Sequence, residues 1–579
     1  MFKLVSSIID TVLGRKRALD VDEEEEVKEQ QQNQDAQHQQ KKQKLNMTHR
    51  IKVTNLPIRE LPAVKKFFKK LGYNRVKKAP EWDFGFITVD TEEEALKCLE
   101  IVNSSTFKNR QLAGEYITES EQDHRDKFMN GNRGKKGKRN QPTVEDNDDT
   151  RTPAEKLADQ VTPLWREPYD VQLVKKNRNG TKQLMNLKRK IQGLKDVRDD
   201  SQRAWAFEKG SLPCEVLEPI PSPEINGYRT KCEFTIGKNL DGQPTVGFLL
   251  GLYRDGITSV LEPSECLNVS DVAKQIARVF GDYVRNSDLP VYDRVEKTGC
   301  WRTIMTKTQS TGEILILVQL RAADLTPERL EQEKKNLVQF WNQESGVNVT
   351  TLIFQVWDGN SNGITDKAPM ETLTGDGYIY ENVLGCRFRL SASAFFQVNT
   401  PAAELLYAKC AEWCSIDAKK KTTLLDLCCG TGTIGITMAK SVDRVVGIEM
   451  VPEAIVDAKA NAKLNNIENV TYYANKVEDK IDVVTGEKNE EVIAVLDPPR
   501  NGVHASVIRA VRDAEHIDRV VYISCDAKQA LDNFVTLCRP QSNRFKGMPF
   551  KPSRAISVDL FPHTDHCELM IEFVRQKPE

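Results

Sequence analysis

Four stretches of this 579-residue chain place reactive side chains at the edge of an apolar run. Ile523-Ser524-Cys525-Asp526 sets a cysteine at the end of a predicted strand. A thiolate is a strong nucleophile, so Cys525 is a candidate for covalent chemistry. In Leu560-Phe561-Pro562-His563-Thr564-Asp565-His566-Cys567-Glu568, the last residue opens another apolar run. A carboxylate there is partly desolvated, which raises its pKa and makes Glu568 a usable base. Leu496-Asp497-Pro498-Pro499-Arg500 ends a third run. Its two prolines hold a turn without N–H donors and leave Asp497 and Arg500 to face a crevice. The fourth stretch, Leu424 to Gly435, reads as strand, glycine turn and helix, with Gly430, Gly432 and Gly435 in G-x-G-x-x-G spacing. Such glycines let the backbone turn tightly against a ligand at a helix N-terminus. About twenty residues on, Glu449 ends the next apolar run, where such folds hold a ribose hydroxyl. An adenosine-type cofactor is therefore expected.

Each feature has a plainer alternative: a buried structural cysteine, an edge-strand glutamate in solvent, a turn with a surface ion pair, a glycine turn with no ligand. Position separates Cys525 from Cys428, Cys429 and Cys538, which read as packing. Together, a nucleophilic cysteine, a carboxylate base and an adenosine-type site suit methyl transfer to uracil C5. That carbon is a poor nucleophile until a thiolate adds at C6 and forms an enolate. The enolate takes the methyl group at C5, a base removes the C5 proton, and elimination frees the cysteine. A nucleotide-dependent oxidoreductase would use the same glycine motif but leaves Asp497, Cys525 and Glu568 without roles. A non-catalytic RNA-binding chaperone or scaffold for tRNA folding is the other alternative.

Positioning these groups requires alternating strands and helices. Strands are predicted at 423–427, 444–449, 492–497 and 519–524, with helices between them and further strands over 556–574. This is the pattern of a parallel sheet covered on both faces, a Rossmann-like α/β domain over 401–579. Residues 152–400 read as a mixed, largely antiparallel α+β domain for RNA binding, with Arg229 and Lys231 entering its strands. Leu184 to Leu194 reads as a basic amphipathic helix, and other helices are expected near 272–284, 327–344 and 401–414. Residues 49–118 follow a β-α-β-β-α-β order that resembles a ferredoxin-like RNA recognition motif. There Phe84 and Phe86 share a strand face suited to stacking on bases, although Lys52 stands where the first strand usually has an aromatic. Two core phenylalanines are the alternative. Residues 119–151, with Arg133, Lys135, Lys136, Lys138 and Arg139, read as a basic flexible linker. Residues 1–48, acidic and then glutamine-rich, read as a disordered tail.

Composition narrows the partners little, because 83 Lys and Arg nearly cancel 84 Asp and Glu. The 13 cysteines lack zinc or iron–sulfur spacing, so no metal is expected and the thiols are expected to be reduced. His563 and His566 have no third ligand at sensible spacing. No apolar run is long enough for a bilayer, so no membrane partner is expected. Arg15-Lys16-Arg17 and Lys41-Lys42-Gln43-Lys44 read either as a nuclear import signal or as solvated charge. A location in both cytoplasm and nucleus is expected.

The glycine motif, Asp497-Pro498-Pro499-Arg500, Ser524-Cys525 and His563 to Glu568 occur in the order of the RNA uracil-C5 methyltransferases, which residues 227–574 resemble. The resemblance implies S-adenosyl-L-methionine as methyl donor and tRNA as partner, with other structured RNA as a further candidate. It also implies uridine 54 of the T-loop as target and a monomer. Cys525 is then the nucleophile and Glu568 the proton acceptor. Gln397 lines the cofactor and base pocket, Glu449 holds the cofactor ribose, and Asp497 lies near the methyl donor. Gly430 and Gly432 contact the cofactor through their backbone. Phe84, Phe86, Arg229, Lys231 and Arg500 are the expected RNA contacts. The family often has an aromatic where Cys428 stands, and its bacterial members have Asn where Thr433 stands.

Overall fold

The computed structural model describes residues 48–57, 61–78, 83–89, 91–108, 110–119, 151–195, 197–251, 258–414, 420–481 and 491–577. The expected disordered tail and the basic linker fall outside these residues. The chain divides into two compact units, Met1–Glu145 and Asp146–Glu579.

In the first unit, a four-stranded antiparallel sheet runs in the order Val76–Lys77, Gly85–Val89, Thr48–Thr54, Ala113–Glu119. Helices Leu61–Lys70 and Glu92–Ser104 complete the β-α-β-β-α-β order. Thr91 caps the second helix by accepting from the Glu94 N–H, and three glutamates fill its first turn, where the helix dipole favours negative charge. Ile51, Val53, Ile87 and Val89 alternate into one core with Val64, Phe68, Ala95, Cys98 and Val102. Phe86 alternates with buried Ile87, so it faces away from that core. Its ring meets Phe84 edge-on at 5.7 Å, and the Lys52 ammonium sits 5.5 Å from the Phe84 ring centre. The two phenylalanines are therefore not core residues.

The second unit holds two large sheets. A seven-stranded sheet built from strands between Lys231 and Thr374 is antiparallel except for one parallel pair, Ile314–Leu320 with Thr351–Val356. The larger sheet has eight strands. Its order is Val470–Ala474, Arg444–Glu449, Thr422–Leu427, Glu491–Leu496, Ile517–Ser524, Glu568–Arg575, Phe550–Val558, Glu215–Val216. The first five are parallel, and Glu568–Arg575 runs antiparallel to both of its neighbours. Chain order reverses between Thr422–Leu427 and Glu491–Leu496, and such a switch opens a crevice at the strand C-termini.

The boundary expected at residue 400 is crossed by one buried cluster, although the seven-stranded sheet also has a core of its own on residues 157–354. Met305, Leu315, Leu317 and Ile353 of the seven-stranded sheet share one buried cluster with Leu424, Ile493 and Val521 of the eight-stranded sheet. Strand Glu215–Val216 also extends the larger sheet from far upstream. Two further elements were not expected. Val470–Ala474 is an edge strand, and the helix read as Leu184 to Leu194 extends over Tyr169–Gln192. Its first turns bury Gln172 and Lys176 rather than apolar side chains, so hydrophobic periodicity misses them. Gly180, one turn beyond Lys176 on the same face, lets the helix approach the sheet. A Cβ there would stand 3.1 Å from Ser557 Oγ and 3.2 Å from Leu569 Cδ1. Gly180→Val should thus overpack this contact and lower stability by about 1–3 kcal/mol, read as a lower urea midpoint. An unchanged midpoint would contradict the close approach.

Candidate active site

The crevice contains a cavity of about 570 Å³, within the size range of small-molecule sites. Its wall brings together Arg229, Gln397, Gly430, Glu449, Asp497, Arg500, Cys525 and Glu568 from the expected set. These residues come from seven separate strand ends or loops, so only the fold assembles them.

The glycine turn forms one wall. Cys428 takes φ +67°, Gly430 +53° and Gly432 +81°. Open space surrounds the position of a Cβ on Gly430, which faces the cavity. Gly432 does not line the cavity. It caps helix Thr433–Met438, its N–H donates to Cys429 O, and a Cβ would stand 2.5 Å from Tyr472 Oη. Gly435 packs its helix on the strand, where a Cβ would meet Val445 at 2.8 Å, and its N–H donates to Asp426 Oδ2 at 2.8 Å. Glu449 spans the turn: Oε2 accepts from the Gly430 N–H at 3.2 Å and Oε1 from the Val451 N–H at 3.0 Å. Each carboxylate oxygen keeps a second lone pair for a ligand hydroxyl. Cys428, expected to be packing, is only partly buried and lines the cavity, because its left-handed backbone turns it off the strand. Cys429 and Cys538 are buried.

Burial governs the opposite wall. It pushes the Cys525 thiol up to about 12, helped by the charges of Glu568 and Asp497 and opposed by Arg500. Glu568 is almost fully buried, and burial, then Asp497, raises its pKa well above the carboxylate range while Arg500 lowers it. Glu568 Oε2 has no hydrogen-bond partner among the described residues. A buried carboxylate oxygen left unpaired is costly, and a ligand donor or a proton would satisfy it. Asp497 is likewise raised, by burial and then by Asp426. Arg500 is thus the cation that offsets both reactive groups.

A third wall, Ser393 to Val398, carries Gln397. Buried Lys307 holds this loop from below, donating to Ser391 O at 2.6 Å and Ala394 O at 2.8 Å. Asp457 holds it from the side, accepting from Ser391 Oγ at 2.8 Å and Arg389 at 2.6 Å. The loop projects Phe395, 70% exposed, at the cavity wall. Reasoning from sequence did not select Phe395, Asp457 or His566, all of which line the cavity. Its adjacency to Gln397 in Phe395-Phe396-Gln397 was the available signal for Phe395. His563 faces away, bonded to Gln172 and Asn226. Lys231 also lies off the cavity, paired with Glu233 at 3.0 Å. Phe84 and Phe86 belong to the other unit. No group of three or more metal-ligating side chains occurs among the described residues. No described helix is long and apolar enough to cross a membrane.

Comparison with known proteins bears on this geometry. The family model described as tRNA (Uracil-5-)-methyltransferase matches residues 381–576, which include every cavity residue named above except Arg229. The human tRNA (uracil-5-)-methyltransferase homolog A is 38% identical over 438 residues, 74% of this chain and 69% of the relative. Homolog B of Danio rerio is 37% identical over 429 residues, 73% of this chain and 87% of the relative. Among solved structures, the Pyrococcus abyssi tRNA (uracil-54, C5)-methyltransferase in complex with S-adenosyl-L-homocysteine superposes with a TM-score of 0.51. It is 20% identical and covers 71% of this chain and 85% of its own, a likeness of fold. This chain belongs to the tRNA (uracil-5-)-methyltransferase family.

Proposed function

We propose that this protein methylates C5 of uridine 54 in the T-loop of tRNA, with S-adenosyl-L-methionine as donor, Cys525 as nucleophile and Glu568 as base. The observation that carries this reading is one cavity lined by the glycine turn and Glu449 on one side and by Cys525, Glu568, Asp497 and Arg500 on the other. Gly430, Glu449 and the Ser393–Val398 loop fit an adenosine-type donor, whose sulfonium supplies an electrophilic methyl group. Position 54 is supported by the archaeal protein of the same fold, which is named for that nucleotide.

In the first step Cys525 releases its proton to solvent and its sulfur bonds to uracil C6, placing the electron pair of the C5–C6 double bond on C5 and O4. Once C5 carries the methyl group, Glu568 takes the C5 proton. The electrons of that C–H bond reform the C5–C6 double bond and expel the Cys525 thiolate. Overall one methyl group enters as the donor's sulfonium becomes a neutral thioether, and the C5 proton leaves through Glu568. Both groups therefore act in their deprotonated forms, and both have raised pKa values. Arg500 favours both deprotonated forms, and Phe395 offers a ring to a base entering the cavity. The first unit serves as an RNA-binding module, its Phe84–Phe86 face taking unpaired bases.

Three outcomes test this reading. Cys525→Ala should bind RNA and S-adenosylmethionine but form neither product nor adduct. Glu568→Gln should transfer the methyl group and then stall as a methylated RNA–protein adduct that survives denaturing electrophoresis. The absence of that adduct would defeat the covalent mechanism.

The second outcome concerns pH. Activity in single turnover should climb from pH 6 to pH 9, because each unit of pH raises the deprotonated fraction of a group whose pKa lies above this range. Arg500→Gln removes the offsetting charge, so its profile should shift to higher pH and its rate at pH 7 should fall on the order of tenfold or more. A flat profile in both proteins would contradict the assignment.

The third outcome concerns the first unit. Phe84→Ala combined with Phe86→Ala should weaken tRNA binding by about 1–3 kcal/mol per base no longer stacked, while turnover at saturating tRNA persists. Equal affinity in the folded variant would remove the stacking role.

A further inference from the structure

The segment that carries the base is held in place from a distant part of the chain. Between Asp559 and Glu568 it leaves one strand, turns and enters the next, presenting Phe561, His566 and Glu568 to the cavity. Little of this turn packs as regular structure, and His563 within it takes φ +65°, a strained conformation for a residue with a side chain. Something outside the segment must hold it.

Helix Tyr169–Gln192 does so with two buried polar side chains one turn apart. The Lys176 ammonium donates to Asp559 Oδ1 at 2.7 Å and to Phe561 O at 2.9 Å, and neither Lys176 nor Asp559 reaches solvent. The Phe561 N–H donates to the same Asp559 oxygen at 3.0 Å, and Tyr169 Oη donates to the other at 3.1 Å. One turn earlier, Gln172 Oε1 accepts from the His563 N–H at 2.8 Å. Gln172 Nε2 donates to His563 Nδ1 at 3.2 Å and to Glu167 O at 2.9 Å. On the far side of the ring His563 Nε2 donates to Asn226 Oδ1 at 2.8 Å. His563 O accepts from the Leu164 N–H at 2.9 Å, and Pro562 O from Tyr228 Oη at 2.9 Å.

A fully buried ion pair is a weak net stabiliser, since desolvation offsets its attraction, so stability alone does not account for Lys176 and Asp559. What such directional contacts do provide is a fixed backbone path, here a path that ends at Glu568. The helix lies far outside residues 381–576, so the site is not self-contained in the segment that bears its reactive groups.

We propose that Gln172 and Lys176 are positioning residues for Glu568: by clamping the Asp559–His563 turn they set the base where it must meet the C5 proton. The proposal rests on the covalent reading above and adds a step-specific consequence. Loosening the clamp should slow removal of the C5 proton and leave the earlier steps intact.

Gln172→Met, close in shape but without the hydrogen bonds, tests this in full-length protein with tRNA and labelled S-adenosylmethionine. The first-turnover burst of methyl transfer should keep its amplitude, and the KM for S-adenosylmethionine should be unchanged. Steady-state kcat should fall on the order of tenfold to a hundredfold, as for a reacting group displaced by about an ångström. A methylated adduct dependent on Cys525 should accumulate. Asn226→Ala removes the other bond to the His563 ring from an exposed position, and it should show the same signature more weakly even where Gln172→Met does not fold. A general structural role would instead lower the burst and the kcat together, without adduct, and that result would overturn the inference. Glu568→Gln separates the two levels. Its failure to form an adduct would count against the covalent mechanism itself. An adduct in Glu568→Gln with none in either clamp variant would overturn the positioning role alone.

Discussion

Burial of charge is the constraint on which this site depends. Cys525, Asp497 and Glu568 line one cavity, and desolvation by burial raises the pKa of each. Arg500 opposes this for both Cys525 and Glu568. A thiol held near 12 does not react indiscriminately, and a carboxylate with an unpaired buried oxygen favours whatever brings it a proton. The same burial that suppresses the reactivity of these groups makes them responsive to a substrate that reorganises their charges. The polar scaffolding around the cavity follows from this. Loops bearing such groups cannot rest on apolar packing alone, so Lys307 and Asp457 hold the Gln397 loop, and Gln172 and Lys176 hold the Glu568 segment.

The C-terminal fold was legible because its signals are local. Thr422–Leu427, Arg444–Glu449 and Glu491–Leu496 are buried strands built around short apolar runs, and the glycine turn marks where strand passes to helix. What the sequence concealed was tertiary in origin. The helix from Tyr169 buries glutamine and lysine where a pattern search expects leucine, and its Gly180 is a contact with Leu569 rather than a breaker. The boundary at residue 400 looked plausible because composition and strand type change there, yet one buried apolar cluster runs across it. Strand Glu215–Val216 is too short to announce itself.

The site was legible to a similar degree, for a related reason. Cys525, Asp497, Glu449 and Glu568 each sit at a strand end, a position that apolar runs reveal and that open α/β sheets turn toward their ligand. Cys428 was misplaced because its left-handed backbone, not its residue type, carries it to the cavity. Gly432 was assigned to the ligand when its role is to pass under Tyr472. Phe395 and His566 lie on irregular segments and Asp457 on helix Pro452–Leu464, and only the assembled fold shows that their side chains reach the cavity.

The central claim is that Cys525 forms a bond to the target base during turnover, and trapping with tRNA containing 5-fluorouridine tests it most directly. Fluorine at C5 cannot leave as a proton does, so the wild-type protein with S-adenosylmethionine should stop as a methylated adduct. Mass spectrometry of the digested adduct should place the nucleotide on the peptide containing Cys525. An adduct mapped to another residue, or turnover inhibited with no covalent species at all, would contradict the account.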